Sequence, residues 1–266
     1  MSGKRNGLHS CKSFEHYTPV EYIEAARYVL GRIDLDPASC ARANETVRAS
    51  TYYTKEDDGL TQTWFGNVYL NPPNNQRGYL IKAFWRRACE HVLFDGGTVL
   101  WAGYSLGPLA RLHACEPLGD GMECPGPISW PIVMIGPQGP GTTPGGRICW
   151  IDGETGEAGK QPGHGNYFCL LGGDAGQRER FRDRFGEFGD YCEPKQHMGS
   201  LASDILCALR RHGPMSKRAI ARVIHARKVA VARVVDQLAS AQRIRRACGW
   251  TWAVVGTQPT AREEGP

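Results

Sequence analysis

Three short apolar runs, set between helix-length patterns, leave this chain few folds to adopt. "RIDLDPAS" (32–39), "FGNVYLNPP" (65–73) and "GTVLWAGY" (97–104) read as strands. The third is apolar enough to be buried on both faces. "PVEYIEAARYVLG" (19–31) opens on proline, carries apolar residues at helical spacing and stops at Gly31. "YLIKAFWRRACEHVLFDGG" (79–97) repeats that pattern with a Gly-Gly stop. Strands alternating with helices favour an α/β fold with a mostly parallel, doubly wound sheet. Residues 117–166 are dense in Gly and Pro and read as ordered loops around short strands. "RICWID" and "NYFCLLGG" read as a closing pair of strands. The polar, charged stretch 179–200 reads as a domain boundary.

The second part of the chain differs in charge. From Leu201 to Val255 there are eleven Lys/Arg against two Asp, an excess of nine positive charges in a protein whose formal net charge is +5. Helix patterns at "LASDILCALRRHG", "MSKRAIARVIHA" (with Ser216 as N-cap) and "KVAVARVVDQLASAQ" precede "RIRRACGWTWAVVG", which alternates around Cys248-Gly249 as a two-stranded ribbon. Three helices and a basic ribbon give the order of a winged helix-turn-helix. Ile205, Leu209, Ile220, Val223, Val234, Val235 and Leu238 form its expected core. Arg222, Arg227, Lys228, Arg233, Arg243, Arg245 and Arg246 are expected to face outward and bind DNA, because neutralising phosphates supplies most non-specific affinity. The alternative partner of such a module is another protein.

The remaining bulk properties exclude more than they assign. With 266 residues and 41% apolar content the chain suits one large domain or a medium domain plus a small one. No window approaches the roughly 18 apolar residues of a membrane span. The opening "MSGKRNGLHSCKS" is basic and polar, which argues against a signal peptide and for a mobile leader. The ten cysteines are scattered, without a CxxC pair, so reduced thiols in a cytoplasmic protein are expected. His113, Cys115 and Cys124 have no fourth ligand at sensible spacing, and no metal site is assigned.

The strand "VYL" runs directly into Asn71-Pro72-Pro73 and then Asn74-Asn75. An exocyclic amine on a nucleobase is a poor nucleophile because its lone pair is delocalised into the ring. An amide oxygen and a neighbouring carbonyl that accept its two hydrogens turn that lone pair toward an electrophilic carbon. Asn71 supplies the side-chain acceptor and Pro72 the backbone one, while the fixed φ of the two prolines removes backbone freedom. Alone, the tripeptide reads more simply as a strand exit. Three further pieces precede it in order: Tyr17-Thr18-Pro19 at a helix start, Asp36-Pro37-Ala38-Ser39 at a strand end, and Glu56-Asp57-Asp58-Gly59-Leu60. Open α/β sheets bind cofactors at the carboxyl ends of their strands.

Residues 16–73 resemble the phage-type DNA N-6-adenine methyltransferase (Dam) family. The likeness lies in the Tyr-Thr-Pro entry, the Leu-Asp-Pro-Ala-Ser turn, the Asp-Gly-Leu element and the Trp-x-Gly-x-Val-x-x-Asn-Pro-Pro strand. The resemblance implies a Rossmann-like S-adenosylmethionine-dependent methyltransferase fold over 14–190 and methyl transfer to a DNA amino group, adenine N6 foremost. It further implies cofactor contacts at Tyr17, Thr18, Pro19, Asp36, Pro37, Ala38, Ser39 and Asp58, and a catalytic corner at Asn71, Pro72, Pro73 and Asn74. A leader over 1–13, a linker over 191–200, the winged helix over 201–256 and a tail over 257–266 complete the expected organisation. The sequence departs from the family at Asn74, where an aromatic residue normally stacks on the target base; Tyr79 and Trp64 are the candidate substitutes. Two alternatives stay open. One is a methyltransferase-like DNA-binding protein without activity; the other is a base-modifying enzyme of different chemistry on the same fold.

Overall fold

The computed structural model describes residues 16–73, 78–105, 116–118, 124–159, 163–193, 205–206, 208–224, 228–240 and 242–255, with the backbone alone at 229, 230, 233 and 237. The leader, Asn74, Arg227, His113 and Cys115 lie outside the described residues, as does the side chain of Arg233.

The body begins with β1 (His16–Tyr17), α1 (Val20–Leu30), β2 (Leu35–Asp36), α2 (Ala41–Val47), β3 (Thr51–Tyr52) and β4 (Asn67–Leu70). It continues with α3 (Tyr79–Phe94), β5 (Thr98–Gly103), β6 (Ile132–Ile135), β7 (Ile151–Asp152), β8 (Tyr167–Leu171), α4 (Ala175–Gly186) and β9 (Gly189–Cys192). Helix α1 keeps the limits expected of it. Pro19 stands at its N-cap, and Gly31 ends it at φ 81°, a left-handed value that a Cβ disfavours.

Seven strands form one sheet in the order β3-β2-β4-β5-β8-β6-β9. The first four run parallel. From β5 onward each neighbour is antiparallel. The sheet is therefore mixed: β8 sits inside it, between β5 and β6. Successive residues of a strand point to opposite faces, and here both faces are covered. Tyr69, Leu100, Ala102, Phe168 and Leu170 pack with Tyr22, Ile23 and Val29 of α1 and Phe181 and Phe185 of α4. Val68, Leu70, Val99, Trp101 and Cys169 pack with Phe84, Trp85, Ala88 and Val92 of α3. This mixed α/β architecture, a central sheet with helices on both faces, is compatible with a Rossmann-like fold.

Three expectations change. "RICWID" and "NYFCLLGG" do not pair; β7 pairs with β1, and β8 enters the main sheet. The stretch 179–200 is not simply a boundary, because it holds most of α4 and the edge strand β9. An Asp174/Gln177 capping box starts α4, and β9 closes on β6 through Cys192. Short α2, with Cys40 accepting from the Ala43 amide, had no expected counterpart.

Beyond the body, residues 205–206 and 208–212 are helical. They are followed by β10 (Met215–Ser216), α5 (Lys217–Val223), α6 (Lys228–Ser240), β11 (Ile244–Arg246) and β12 (Thr251–Val254). The three strands form a separate antiparallel sheet, β10-β12-β11. Ser216 caps α5 by accepting from the Ala219 amide at 3.1 Å. Ile205, Leu209, Ile220, Val234, Val235 and Leu238 form a core with Leu206, Val231, Ile244 and Val254. Val223, expected in that core, is 41% exposed. The Arg210 and Arg243 guanidinium groups lie 5.0 and 5.6 Å from the Phe94 ring at the end of α3. Arg243 thus turns toward the body rather than outward. No helix among the described residues is long and apolar enough to cross a membrane.

Candidate active site at the carboxyl edge of the parallel strands

The strands β2, β4 and β5 are neighbours and parallel, so the residues at their carboxyl ends meet at one edge. Asp36 closes β2, Asn71 follows β4 and Tyr104 follows β5. Segment 16–19 is fastened over this edge. The Asn71 amide donates to the His16 carbonyl at 2.8 Å. The Thr18 hydroxyl meets the Tyr69 hydroxyl at 2.6 Å, and the Tyr17 hydroxyl lies 3.4 Å from Cys40 Sγ. The Tyr-Thr-Pro entry, the strand-end turn and the Asn-Pro-Pro corner, well separated in sequence, are therefore joined in space.

The bond from Asn71 Nδ2 fixes the orientation of the amide. Its donor half is held by His16 O, so the acceptor Oδ1 is directed away from that carbonyl. Asn71 itself is only half-buried, Pro72 is buried and Pro73 exposed. The β1–β7 pairing sets His16 opposite Asp152. Burial lowers the His16 pKa against the opposing pull of Asp152, which favours the neutral imidazole near pH 7.

An aromatic cluster stands beside the corner. The His16 ring stacks on Tyr104, with centroids 5.1 Å apart and planes 9° from parallel. Trp150 lies 5.6 Å and His164 5.9 Å from the Tyr104 ring. The buried Asn166 side chain holds this cluster by donating to the Tyr104 carbonyl at 2.5 Å and accepting from the Ile148 amide at 2.8 Å. The Gly/Pro-rich loop is thereby tied to the edge of the sheet. Arg42 of α2 fastens the turn after β7 by donating to the Gly153 carbonyl at 2.7 Å.

Asp36 is 3% exposed. Burial pushes its carboxyl up to about 6, although the Ala38 amide, 3.2 Å away, opposes the shift. A buried acid that is costly to ionise suits a cationic partner. Gly59 packs against the turn that follows, where a Cβ would stand 1.9 Å from the Pro37 carbonyl oxygen. The acidic loop and the Asp-Pro-Ala-Ser turn are therefore in direct backbone contact. Gly59→Ala must push a backbone carbonyl aside. We expect a loss of about 1–3 kcal/mol, read as a lower melting temperature; an unchanged melt would mean that the contact yields freely.

The remaining expected residues divide. Asp58 is exposed, adopts φ 51° and places its carboxylate 3.3 Å from the Leu60 amide, so its side chain serves its own turn. Trp64 is 2% exposed and donates to the Gly59 carbonyl at 2.7 Å, which removes it as a stacking surface for a base. Tyr79 is 65% exposed at the start of α3. Arg222, Lys228, Arg245 and Arg246 are exposed. Among the described residues no group of three His, Cys, Asp or Glu is placed to hold a metal, and none of the described cysteines is in a disulfide.

A cleft of about 420 Å³ opens at the opposite edge of the sheet, by the starts of β4 and β5. Its polar groups largely serve one another: Gln177 meets Thr98 and Asn67, and Arg180 donates to the Val29 carbonyl. It lies away from the Asn71 corner.

His16, Tyr104, Trp150, His164 and Asn166 stand at this edge without a sequence motif that marks them for it. One signal was available: Tyr104 follows an apolar strand just as Asn71 does. No family model, curated protein or solved structure matches the chain.

Proposed function

We propose that this chain is a methyltransferase that moves a methyl group from S-adenosylmethionine to an exocyclic amino group of DNA, with adenine N6 the favoured atom. The observation that carries the reading is the Asn71–His16 bond. It turns the amide oxygen into a fixed acceptor beside two buried or half-buried features of the same edge, the Asp36 carboxyl and the His16–Tyr104 stack.

Asp36, with Pro37, Ala38 and Ser39, would hold the cofactor, and Thr18 and Pro19 would close over it. The buried carboxyl fits the α-ammonium group of that molecule. When bound, S-adenosylmethionine supplies a methyl carbon made electrophilic by its sulfonium. Asn71 Oδ1 and the Pro72 carbonyl accept the two amine hydrogens and free the lone pair from the ring. The S–C bond of the sulfonium would break as the N–C bond forms, leaving a neutral thioether, and one of the two amine hydrogens would then pass as a proton to water. Asn74 offers no ring, and the His16–Tyr104 stack provides an aromatic surface for the flipped base in its place.

The C-terminal elements support a winged helix-turn-helix that delivers DNA. Their order is helix, strand, helix, helix, strand, strand, with the last two strands as a hairpin. Exposed Arg245 and Arg246 lie on that hairpin. Changing both to Ala should weaken DNA binding and flatten its dependence on salt by up to about two counterions. An unchanged slope would remove the pair from the interface.

Asn74 also favours a second reading, a DNA-binding protein whose body no longer transfers methyl groups. Calorimetry with millimolar S-adenosylmethionine separates the two, since the first predicts binding and the second none. Transfer of labelled methyl to DNA, followed by nucleoside mass spectrometry, then identifies the acceptor atom. A modified base other than a methylated amine would assign the body to different chemistry.

A further inference from the structure

The tip of the β11–β12 hairpin carries an indole that the fold leaves in water. Trp250 is 80% exposed, more than any other large apolar side chain described. A lone exposed apolar residue is unremarkable on most surfaces. This one differs in its support and its company.

The turn that presents it is closed on both sides. The Ala247 amide donates to the Thr251 carbonyl at 3.1 Å and the Thr251 amide to the Cys248 carbonyl at 3.0 Å. The Thr251 hydroxyl donates to the Cys248 carbonyl at 2.6 Å and accepts from the Cys248 amide at 3.2 Å. Gly249 completes the turn at φ 53°. The ring is thus held on a braced support, so little backbone freedom is lost when it makes contact.

Its neighbours are cationic. The Arg246 guanidinium lies 5.2 Å from the Trp250 ring and 5.6 Å from the Trp252 ring. Lys217 Nζ lies 5.7 Å from the Trp252 ring and pairs with Asp236. Exposed Arg245 precedes Arg246 on the strand. Residues 243–255 contain no acid. An aromatic face beside a guanidinium group is complementary to a polymer that alternates bases with phosphates.

We propose that Trp250 is a base-contacting residue: its indole stacks on a nucleobase face while Arg246 holds an adjacent phosphate. The inference rests on the DNA-binding half of the function proposed above and is independent of methyl transfer. It adds an aromatic contact, insensitive to salt, to a hairpin otherwise read only as electrostatic.

The test uses the full chain, a fluorescein-labelled mixed-sequence duplex of about 20 base pairs and the matching single strand. Affinity is followed by anisotropy across a range of KCl concentrations. Trp250→Ala should weaken binding roughly 5- to 100-fold and leave the slope of log affinity against log salt unchanged. Trp250→Phe should recover much of the loss. A larger loss on the single strand assigns the contact to an unpaired base; a larger loss on the duplex assigns it to a wedge between base pairs. Wild-type affinity in the alanine variant overturns the proposal, as does a change of salt slope like that of an arginine variant. Preference of the wild-type protein for phosphatidylglycerol vesicles over DNA, lost in the alanine variant, assigns the tip to a lipid surface and overturns it too. Wild-type protein that binds neither oligonucleotide removes the DNA reading itself, an outcome distinct from a failure at Trp250 alone.

Discussion

Asn71→Ala should lower methyl transfer by about two to three orders of magnitude while leaving DNA affinity within about twofold of wild type. On the proposed function, the substitution would remove the acceptor that turns the amine lone pair out of its ring. It also releases the His16 carbonyl, which holds the amide at 2.8 Å. The core of the C-terminal elements shares no residue with this corner, so the DNA binding proposed for them should be spared. Asn71→Asp gives a sharper result. A carboxylate keeps an acceptor oxygen but sets a second one against the His16 carbonyl, where a donor stood. We expect transfer well below wild type and a displaced β1, since the N–H that joined the two is gone. Labelled-methyl transfer at saturating cofactor gives the rate, and calorimetry shows whether cofactor binding persists. An alanine variant that transfers at close to the wild-type rate would remove Asn71 from the chemistry.

Asp36→Asn should separate stability from function. Burial raises the carboxyl of Asp36 to about 6, above the value of 3.8 for an unperturbed aspartate. The folded state therefore binds a proton more tightly than the unfolded chain does. Stability falls as pH rises from about 4 to about 6, and the full penalty is present above that window. Asparagine carries no such penalty. At pH 7 the variant should be more stable by up to about 3 kcal/mol, and the two proteins should converge near pH 4. The same change removes the charge expected to meet the α-ammonium group of the cofactor, so S-adenosylmethionine binding should fall at least tenfold, on the order of one lost charged hydrogen bond. Thermal melts between pH 4 and 7, each with and without cofactor, read both effects. A variant that melts lower at pH 7, or that binds the cofactor like the wild type, would deny the carboxyl this role.

The site was legible in pieces. Tyr17, Thr18, Asp36 and Asn71 were identifiable because each belongs to a short run with its own local signal: a helix entry, a strand-end turn, a diproline stop. The ring proposed to replace Asn74 was not. Trp64 and Tyr79 were the near candidates in sequence, yet Trp64 is buried under α3. The stack beside Asn71 is built from His16 and Tyr104, 55 and 33 positions away along the chain. Asn166 gave no warning of its part, because a polar residue at the start of an apolar strand reads as a cap until its partners are known.

What the sequence determined by itself was local. Pro19 and Gly31 set the ends of α1, helical spacing set α3, Ser216 set the start of α5, and Gly249 set the turn of the hairpin. Each depends on backbone preferences and on neighbours within a few residues. The tertiary structure decided the rest. It inserted β8 antiparallel between β5 and β6, drew β7 to β1, turned Arg243 onto Phe94 and brought the Asn71 amide to the His16 carbonyl. The reason is physical. A strand buried on both faces reads as the same apolar run whichever way it points, and its direction and partners follow only when the whole core is packed at once.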